Sequence, residues 1–314
     1  MCYTSSLISL RSLALLGIIL LIMGCAHKKE RQANAKMSSI REIIVGGDDK
    51  IRIFDFDSLQ NGRQVVNWEL RTGEIIGLPD SVYSQLMPID DHKSVNDHTQ
   101  LLISSSGSGV VLLDRETKRA LFHTTAPNAH SVELLPNNRV AVALSTAKGG
   151  NSVEIYDISR SGIPIFWDSL YSGHGLVWNP KRERLYALGY DEIRAYSLQD
   201  WTSDLPKLRM ERCWKLPETG GHDLFAPNWD QLLVSSSKKV WKFTISPGSF
   251  SPFDPIANEE KVKSVYYDDV TGELLYTKGE INWWTHRVYF KNPDKKIEVP
   301  DIKMYKARVI KRDR

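Results

Sequence analysis

One repeat constrains this chain more than any other feature. Segments starting at His92, His130, His174, His222 and Lys263 follow one another at 38, 44, 48 and 41 residues, and each restates the same pattern. In the second unit the pattern reads His130-Ser-Val-Glu-Leu-Leu-Pro, the pair Asn137-Asn138, Arg139-Val-Ala-Val-Ala-Leu-Ser, and Val153-Glu-Ile-Tyr-Asp. Alternating and β-branched runs of five to seven residues, cut by Asn, Asp, Gly and Pro, specify strands rather than helices. A period near forty with four strands per unit is the pattern of a propeller blade. A lone four-stranded sheet cannot bury both faces, and blades packed around an axis can.

Five units are complete and a sixth is split. Ile43 to Gly47, Ile51 to Asp55 and Val65 to Trp68 supply its second, third and fourth strands. Its inner strand is expected at the other terminus, in Met304-Tyr-Lys-Ala-Arg-Val-Ile310, because Tyr305 follows Lys263 by 42 residues, in phase with the repeat. The expected fold is therefore an all-β, six-bladed β-propeller over residues 41–314, closed by pairing of the C-terminal strand with the N-terminal blade. Gly77 to Asp91 is too short for a seventh blade.

The first forty residues follow different rules. Arg11 and the apolar run Leu13 to Met23 have the layout of a secretory signal. The run is too short to span a bilayer, which takes about 20 residues. Leu20-Leu-Ile-Met-Gly-Cys25 resembles the lipobox of bacterial lipoproteins, so 1–25 is expected to be a signal with Cys25 as the lipidation site. Residues 26–40, polar and basic, then read as a flexible tether. The resemblance implies export and lipid anchoring to the cell envelope, with Ala26 matching lipoproteins of the outer membrane. Of three cysteines, Cys2 falls in the expected signal, and if Cys25 is lipidated, Cys213 stands alone and no intrachain disulfide is possible. A net charge of +3, with no clustered basic face, argues against a nucleic-acid partner. A monomer is expected.

The candidate site comes from the phase of the repeat. Inner strands line the axis of a propeller, and four of the chain's eight histidines, His92, His130, His174 and His222, open four consecutive units. Lys263 and Tyr305 complete the set. Neutral imidazoles around an axis suit a divalent metal ion, or proton transfer near neutral pH. Catalytic roles are therefore expected for His130, His174, His222 and Lys263, and metal ligation for His92, His130, His174 and His222. Strand alternation puts Asp223 and Glu133 on the side away from their neighbouring histidines. Adjacent Trp283 and Trp284, in the polar loop Gly279 to Thr285, offer flat apolar faces for a sugar ring, and Tyr305 is expected to bind substrate as well. The competing reading is structural. Gly173-His174 and Gly221-His222 resemble the Gly-His pair that braces blades in WD40 propellers, although the Trp-Asp ending of that class is missing from every unit.

The segments 130–143 and 174–180 also resemble the repeats of an uncharacterised family of propeller lipoproteins from Bacteroides-like bacteria, which implies the fold and no activity. A weaker similarity is to β-propeller polysaccharide lyases. Those usually have seven blades, and their catalytic sets do not map onto this chain residue by residue. It implies only that histidines at a channel mouth serve anionic sugars. Two functions follow as expectations: binding or lyase-type processing of an acidic glycan in the cell envelope, or a non-catalytic scaffold that docks a protein.

Overall fold

The computed structural model describes residues 41–311, and among these residues twenty-four strands form. Blade 1 holds β1 (Arg41–Gly47), β2 (Lys50–Asp55) and β3 (Val66–Arg71). Blade 2 holds β4 (Ile89–Val95), β5 (Gln100–Ser105), β6 (Gly109–Asp114) and β7 (Ala120–Thr125). Blade 3 holds β8 (Ala129–Leu135), β9 (Arg139–Leu144), β10 (Ser152–Asp157) and β11 (Phe166–Ser169). Blade 4 holds β12 (Gly175–Asn179), β13 (Arg184–Leu188), β14 (Glu192–Gln199) and β15 (Lys207–Lys215). Blade 5 holds β16 (Asp223–Asn228), β17 (Gln231–Ser235), β18 (Val240–Thr244) and β19 (Ser249–Pro252). Blade 6 holds β20 (Val262–Tyr267), β21 (Leu274–Lys278), β22 (Arg287–Lys291) and β23 (Lys295–Glu298). The last strand, β24 (Met304–Lys311), pairs with β1 and completes blade 1, so six four-stranded sheets form a six-bladed β-propeller closed as the phase requires. Residues Arg41–Ile310 form one compact unit. Two short helices, α1 (Phe56–Gln60) and α2 (Asp80–Tyr83), interrupt the pattern, the second filling the stretch too short for a blade.

Local sequence explains the hairpins. Pro136, Asn137 and Asn138 form the three-residue turn between β8 and β9, and both asparagines take positive φ (60° and 53°), a conformation their short side chains tolerate. The second strand of each blade lies between its two neighbouring blades, and β9 is buried at every position. Its sequence, Arg139-Val-Ala-Val-Ala-Leu144, is accordingly an apolar run rather than an alternation.

Six apolar clusters fill the six interfaces between blades. Blades 1 and 6 meet through Ile43, Val45 and Phe54 against Leu275, Val288 and Phe290, joined by Met304 and Ala307 of the closing strand. Each fully buried aliphatic or aromatic side chain contributes about 1.5–3 kcal/mol, and closure repeats this at every joint. Among the described residues no helix is long and apolar enough to cross a membrane. The expected signal, Cys25 and the tether lie outside the described residues.

Candidate functional site

Five of the six inner strands share one irregularity that fixes the site. In blade 2 the register of β4 on β5 skips from Ile89 to Asp91, in blade 3 that of β8 on β9 from Ala129 to Ser131, and in blade 6 that of β20 on β21 from Val262 to Ser264. One extra residue is thereby extruded in each: Asp90, His130 and Lys263. In blade 4, Gly175 pairs with Leu188 while the His174 amide donates to the same Leu188 carbonyl. In blade 5, Asp223 pairs with Ser235 while His222 donates to the Ser235 carbonyl. Two residues facing one is a β-bulge, which re-aims a side chain and is common beside functional sites.

The extruded side chains meet as neighbours around the axis. The rings of His130 and His174 are 4.4 Å apart and those of His174 and His222 5.6 Å, measured between centroids. Lys263 Nζ lies 2.9 Å from His222 Nε2 and 5.8 Å from the ring of Tyr305. The Tyr305 ring faces that of His130 edge-on at 6.0 Å, and Asp90 interacts electrostatically with both His130 and Tyr305. Tyr305, Asp90, His130, His174, His222 and Lys263, one from each blade in order, therefore form a closed ring.

This arrangement corrects the place of His92. The blade 2 member of the ring is Asp90, and His92 occupies the position that Val132 and Val265 hold in their own blades. It is fully buried in the wall between blades 1 and 2, with Nε2 3.2 Å from the Ile44 carbonyl. A Cβ at residue 46 would come within 2.8 Å of its Nδ1, so Gly46 leaves the room the imidazole occupies. Sequence reading missed Asp90 because the bulge is invisible in a list of starts. Its signal was the small or polar residue after the ring member: Asp91, Ser131, Gly175, Asp223 and Ser264.

Those following residues make a second layer. Ser131 Oγ donates to Asp91 and accepts from the Leu176 amide, Asp223 accepts from the Val265 amide, and Ser264 Oγ accepts from the Ala307 amide. Lys306, with no exposed surface, reaches across to Asp223 Oδ1 at 3.2 Å and to the carbonyls of His174 at 3.0 Å and His130 at 3.3 Å. Arg308 bonds both Asp91 and Asp223. Two carboxylates and two cations thus neutralise one another in the channel, and the ring above them is a cup with a floor. Strand alternation had turned Asp223 away from the axis. It faces the axis because the bulge interrupts the alternation at that residue. Glu133 likewise lies in the channel, paired with Lys93 at 2.7 Å.

The cup contains two imidazoles held neutral by burial, His174 and His222, and a weakened amine, Lys263. The Nδ1 atoms of His130 and His174 lie 3.0 and 2.9 Å from the carbonyls of Asn128 and Ser172. A proton on each Nδ1 satisfies those contacts and leaves each Nε2 as an acceptor. Burial, then the neighbouring imidazoles, hold His174 well below its ordinary value. Burial and Lys263 bring His222 down to about 3. Lys263 is lowered to about 8 by burial, with Lys261 and Lys306 adding to the effect. Burial raises Asp90, whose carboxylate accepts the Ser106 amide, and raises Tyr305 with help from nearby carboxylates.

The donor set does not fit the expected metal as it stands. Lys263 occupies His222 Nε2, His92 is elsewhere, and among the described residues no three His, Cys, Asp or Glu groups are placed as ligands of one ion. The two tryptophan rings contact different neighbours. Trp283, 43 % exposed, turns its ring toward Tyr305 at 6.1 Å, whereas Trp284 is covered by Lys303 and His286. Together with Met87, Pro88 and Lys303 they line a groove of about 320 Å³. Cys213 is exposed on β15, and burial and Glu192 raise its thiol, so it is not poised as a nucleophile.

No curated protein matches the chain significantly. Among solved structures, a chain in the crystal structure of a mitotic checkpoint complex is similar over 83 % of this chain and 76 % of its own, at 12 % identity and a TM-score of 0.53. At that identity the likeness speaks for the fold alone. A family model matches residues 7–313, nearly the whole sequence. The chain belongs to that family, a family of unknown function (DUF6528).

Proposed function

We propose that the axial cup binds an acidic carbohydrate, with Lys263 as the anchor for its carboxylate. The observation that carries this reading is the state of Lys263. It is 7 % exposed, its hydrogen-bond partner is a neutral imidazole, and among the described residues no carboxylate pairs with it. A buried cation without a counter-charge is costly, and a ligand carboxylate offsets that cost. The Nε2 acceptors of His130 and His174 suit sugar hydroxyls, and Trp283 offers a flat edge at the rim.

Binding fits the groups better than lyase chemistry. Proton abstraction beside a uronate needs a base matched to neutral pH: His174 and His222 are held too low to serve, and Lys263, the group lowered toward that range, is the carboxylate anchor. A divalent ion would first require Lys263 to leave His222. The lipobox-like segment ending at Cys25 supports a cell-envelope location on a lipid anchor, with the cup presented to envelope glycans. Retardation of the native protein in gels cast with an acidic polysaccharide, against gels with a neutral one, tests this. Retardation in the acidic gel alone, abolished in His130→Ala, is expected. Equal mobility in both gels overturns the reading.

A second reading has its own support. Asp90, His174 and Tyr305 are 2, 8 and 4 % exposed, so the cup opens narrowly, and the fold likeness is to a component of a protein assembly. A scaffold that docks a protein on the propeller face is the alternative, and it predicts no selectivity among polysaccharides.

A further inference from the structure

Away from the axis, a cavity of about 430 Å³ opens between blades 4 and 5, lined by Arg182, Arg184, Arg212, Tyr186 and Trp214 among others. Strand pairing explains the hollow. Tyr186 is opposite Ala195, and Ala195 is opposite Arg212, so the three form one row across β13, β14 and β15. The small Ala195 leaves open space between a phenol and a guanidinium. Arg184, two residues before Tyr186, projects from the same face, and Arg182 enters from the turn before β13.

The charges in this hollow do not balance. Arg182 pairs with Asp230 at 2.6 Å. Arg184 donates to backbone carbonyls, those of Arg182 and Glu183, and among the described residues it forms no ion pair. Arg212 is exposed, and among the described residues its side chain forms neither a hydrogen bond nor an ion pair. Glu211, the acidic group of the lining, is already held by Ser197 and Arg209. Burial raises the Tyr186 phenol while all three guanidiniums oppose it, which places them within electrostatic reach of one oxygen.

We propose that this hollow is a second binding site, for the tetrahedral oxyanion of a phosphate or sulfate ester. Three guanidiniums arriving from different directions over a phenol match an anion with three or more acceptor oxygens, whereas a carboxylate occupies only one fork. The apolar face of Trp214 beside them leaves room for the organic part of an ester. The site is independent of the axial cup and shares no residue with it.

The probes are inorganic phosphate and inorganic sulfate, titrated calorimetrically into the full chain at constant ionic strength, with acetate as the planar control. Saturable binding with Kd at or below roughly 1 mM is expected for a tetrahedral anion and not for acetate. Stronger binding of phosphate points to a phosphoryl ligand, and stronger binding of sulfate to a sulfated one. Arg212→Ala, at an exposed position without a partner, is expected to weaken it at least tenfold, and Arg184→Ala likewise. Should Arg212→Ala misfold, Arg212→Gln keeps the stem and carries the same expectation. Lys263→Met is expected to bind the anion unchanged. Absence of saturable binding, equal affinity in Arg212→Ala, or loss of binding in Lys263→Met would each overturn the proposal.

Discussion

Lys306 Nζ lies 3.2 Å from Asp223 Oδ1 with both side chains fully buried, tying the last strand of the chain to blade 5. Asp91 and Arg308 complete a neutral quartet. Replacing Lys306 by Met removes one cation and leaves two buried carboxylates to share Arg308. Breaking a buried pair from one side costs roughly 3–5 kcal/mol. Urea denaturation of Lys306→Met against the native protein is expected to show a loss of that order. A change below about 1 kcal/mol, the range of exposed ion pairs, would contradict a buried charged quartet that needs Lys306.

Closure makes β24 indispensable. Met304, Tyr305, Ala307 and Ile310 are buried in the closing strand, and Tyr305 and Lys306 belong to the ring and the quartet. A chain ended after residue 303 leaves β1 as an open edge and exposes the interface between blades 1 and 6. It is expected to lose its cooperative thermal transition in circular dichroism. A sharp transition within a few degrees of the native one would contradict non-covalent closure.

Acid is expected to destabilise the fold in two stages. His92 is lowered to about 4 and His222 to about 3, both chiefly by burial, against an unfolded value near 6.5. Between those limits the unfolded chain binds more protons than the folded one, so stability falls as pH drops below about 6.5. Each imidazole contributes about 1.4 kcal/mol per pH unit across its own interval. Asp91, held far below the carboxylate range by Arg308 and Lys306 against the effect of burial, adds a further loss once pH falls below about 4. Urea midpoints at pH 7.5, 5.5 and 4.5 are expected to fall in that order, with the His92→Phe variant less sensitive between the first two. A flat profile would contradict the neutral state of the buried imidazoles.

Gly175 holds the place in blade 4 where Ser131, Asp223 and Ser264 bond the next blade. Its absent Cβ would lie 2.7 Å from Leu224 Cβ and 2.9 Å from the Leu224 amide nitrogen. Gly175→Ala therefore forces blades 4 and 5 apart and is expected to cost about 1–3 kcal/mol. Gly73→Ala, with nothing within 4 Å of the added atom, is the control. Equal thermal midpoints for the two variants would contradict this packing.

The blade count was legible because strand runs and turn residues recur at a nearly fixed period, and Tyr305 announces closure by falling in phase. Five of the six ring members, His130, His174, His222, Lys263 and Tyr305, were legible for the same reason. His92 was misplaced by two residues because a bulge changes which residue faces the axis without changing the hydrophobic pattern around it. Asp90 went unnoticed behind it. The quartet of Asp91, Asp223, Lys306 and Arg308 joins residues up to 217 positions apart, and strand alternation pointed Asp223 the wrong way. The arginine hollow was equally hidden, since it depends on cross-strand pairing of Tyr186, Ala195 and Arg212 rather than on any local motif.

The most direct test of the account is calorimetric titration of the native protein and Lys263→Met with an acidic oligouronate, repeated from pH 6.5 to 9.5. Lys263 is lowered to about 8 and faces Lys261, Lys306, His222 and Tyr305, so its positive charge is lost as pH rises through that value. The native protein is expected to bind most tightly below pH 8 and to weaken by up to about tenfold per unit above it. Lys263→Met is expected to bind at least tenfold more weakly at pH 6.5, about 1.4 kcal/mol, with no such pH dependence. Equal affinity in the two proteins, or a native affinity that does not change across pH 8, would contradict an anion site built on Lys263.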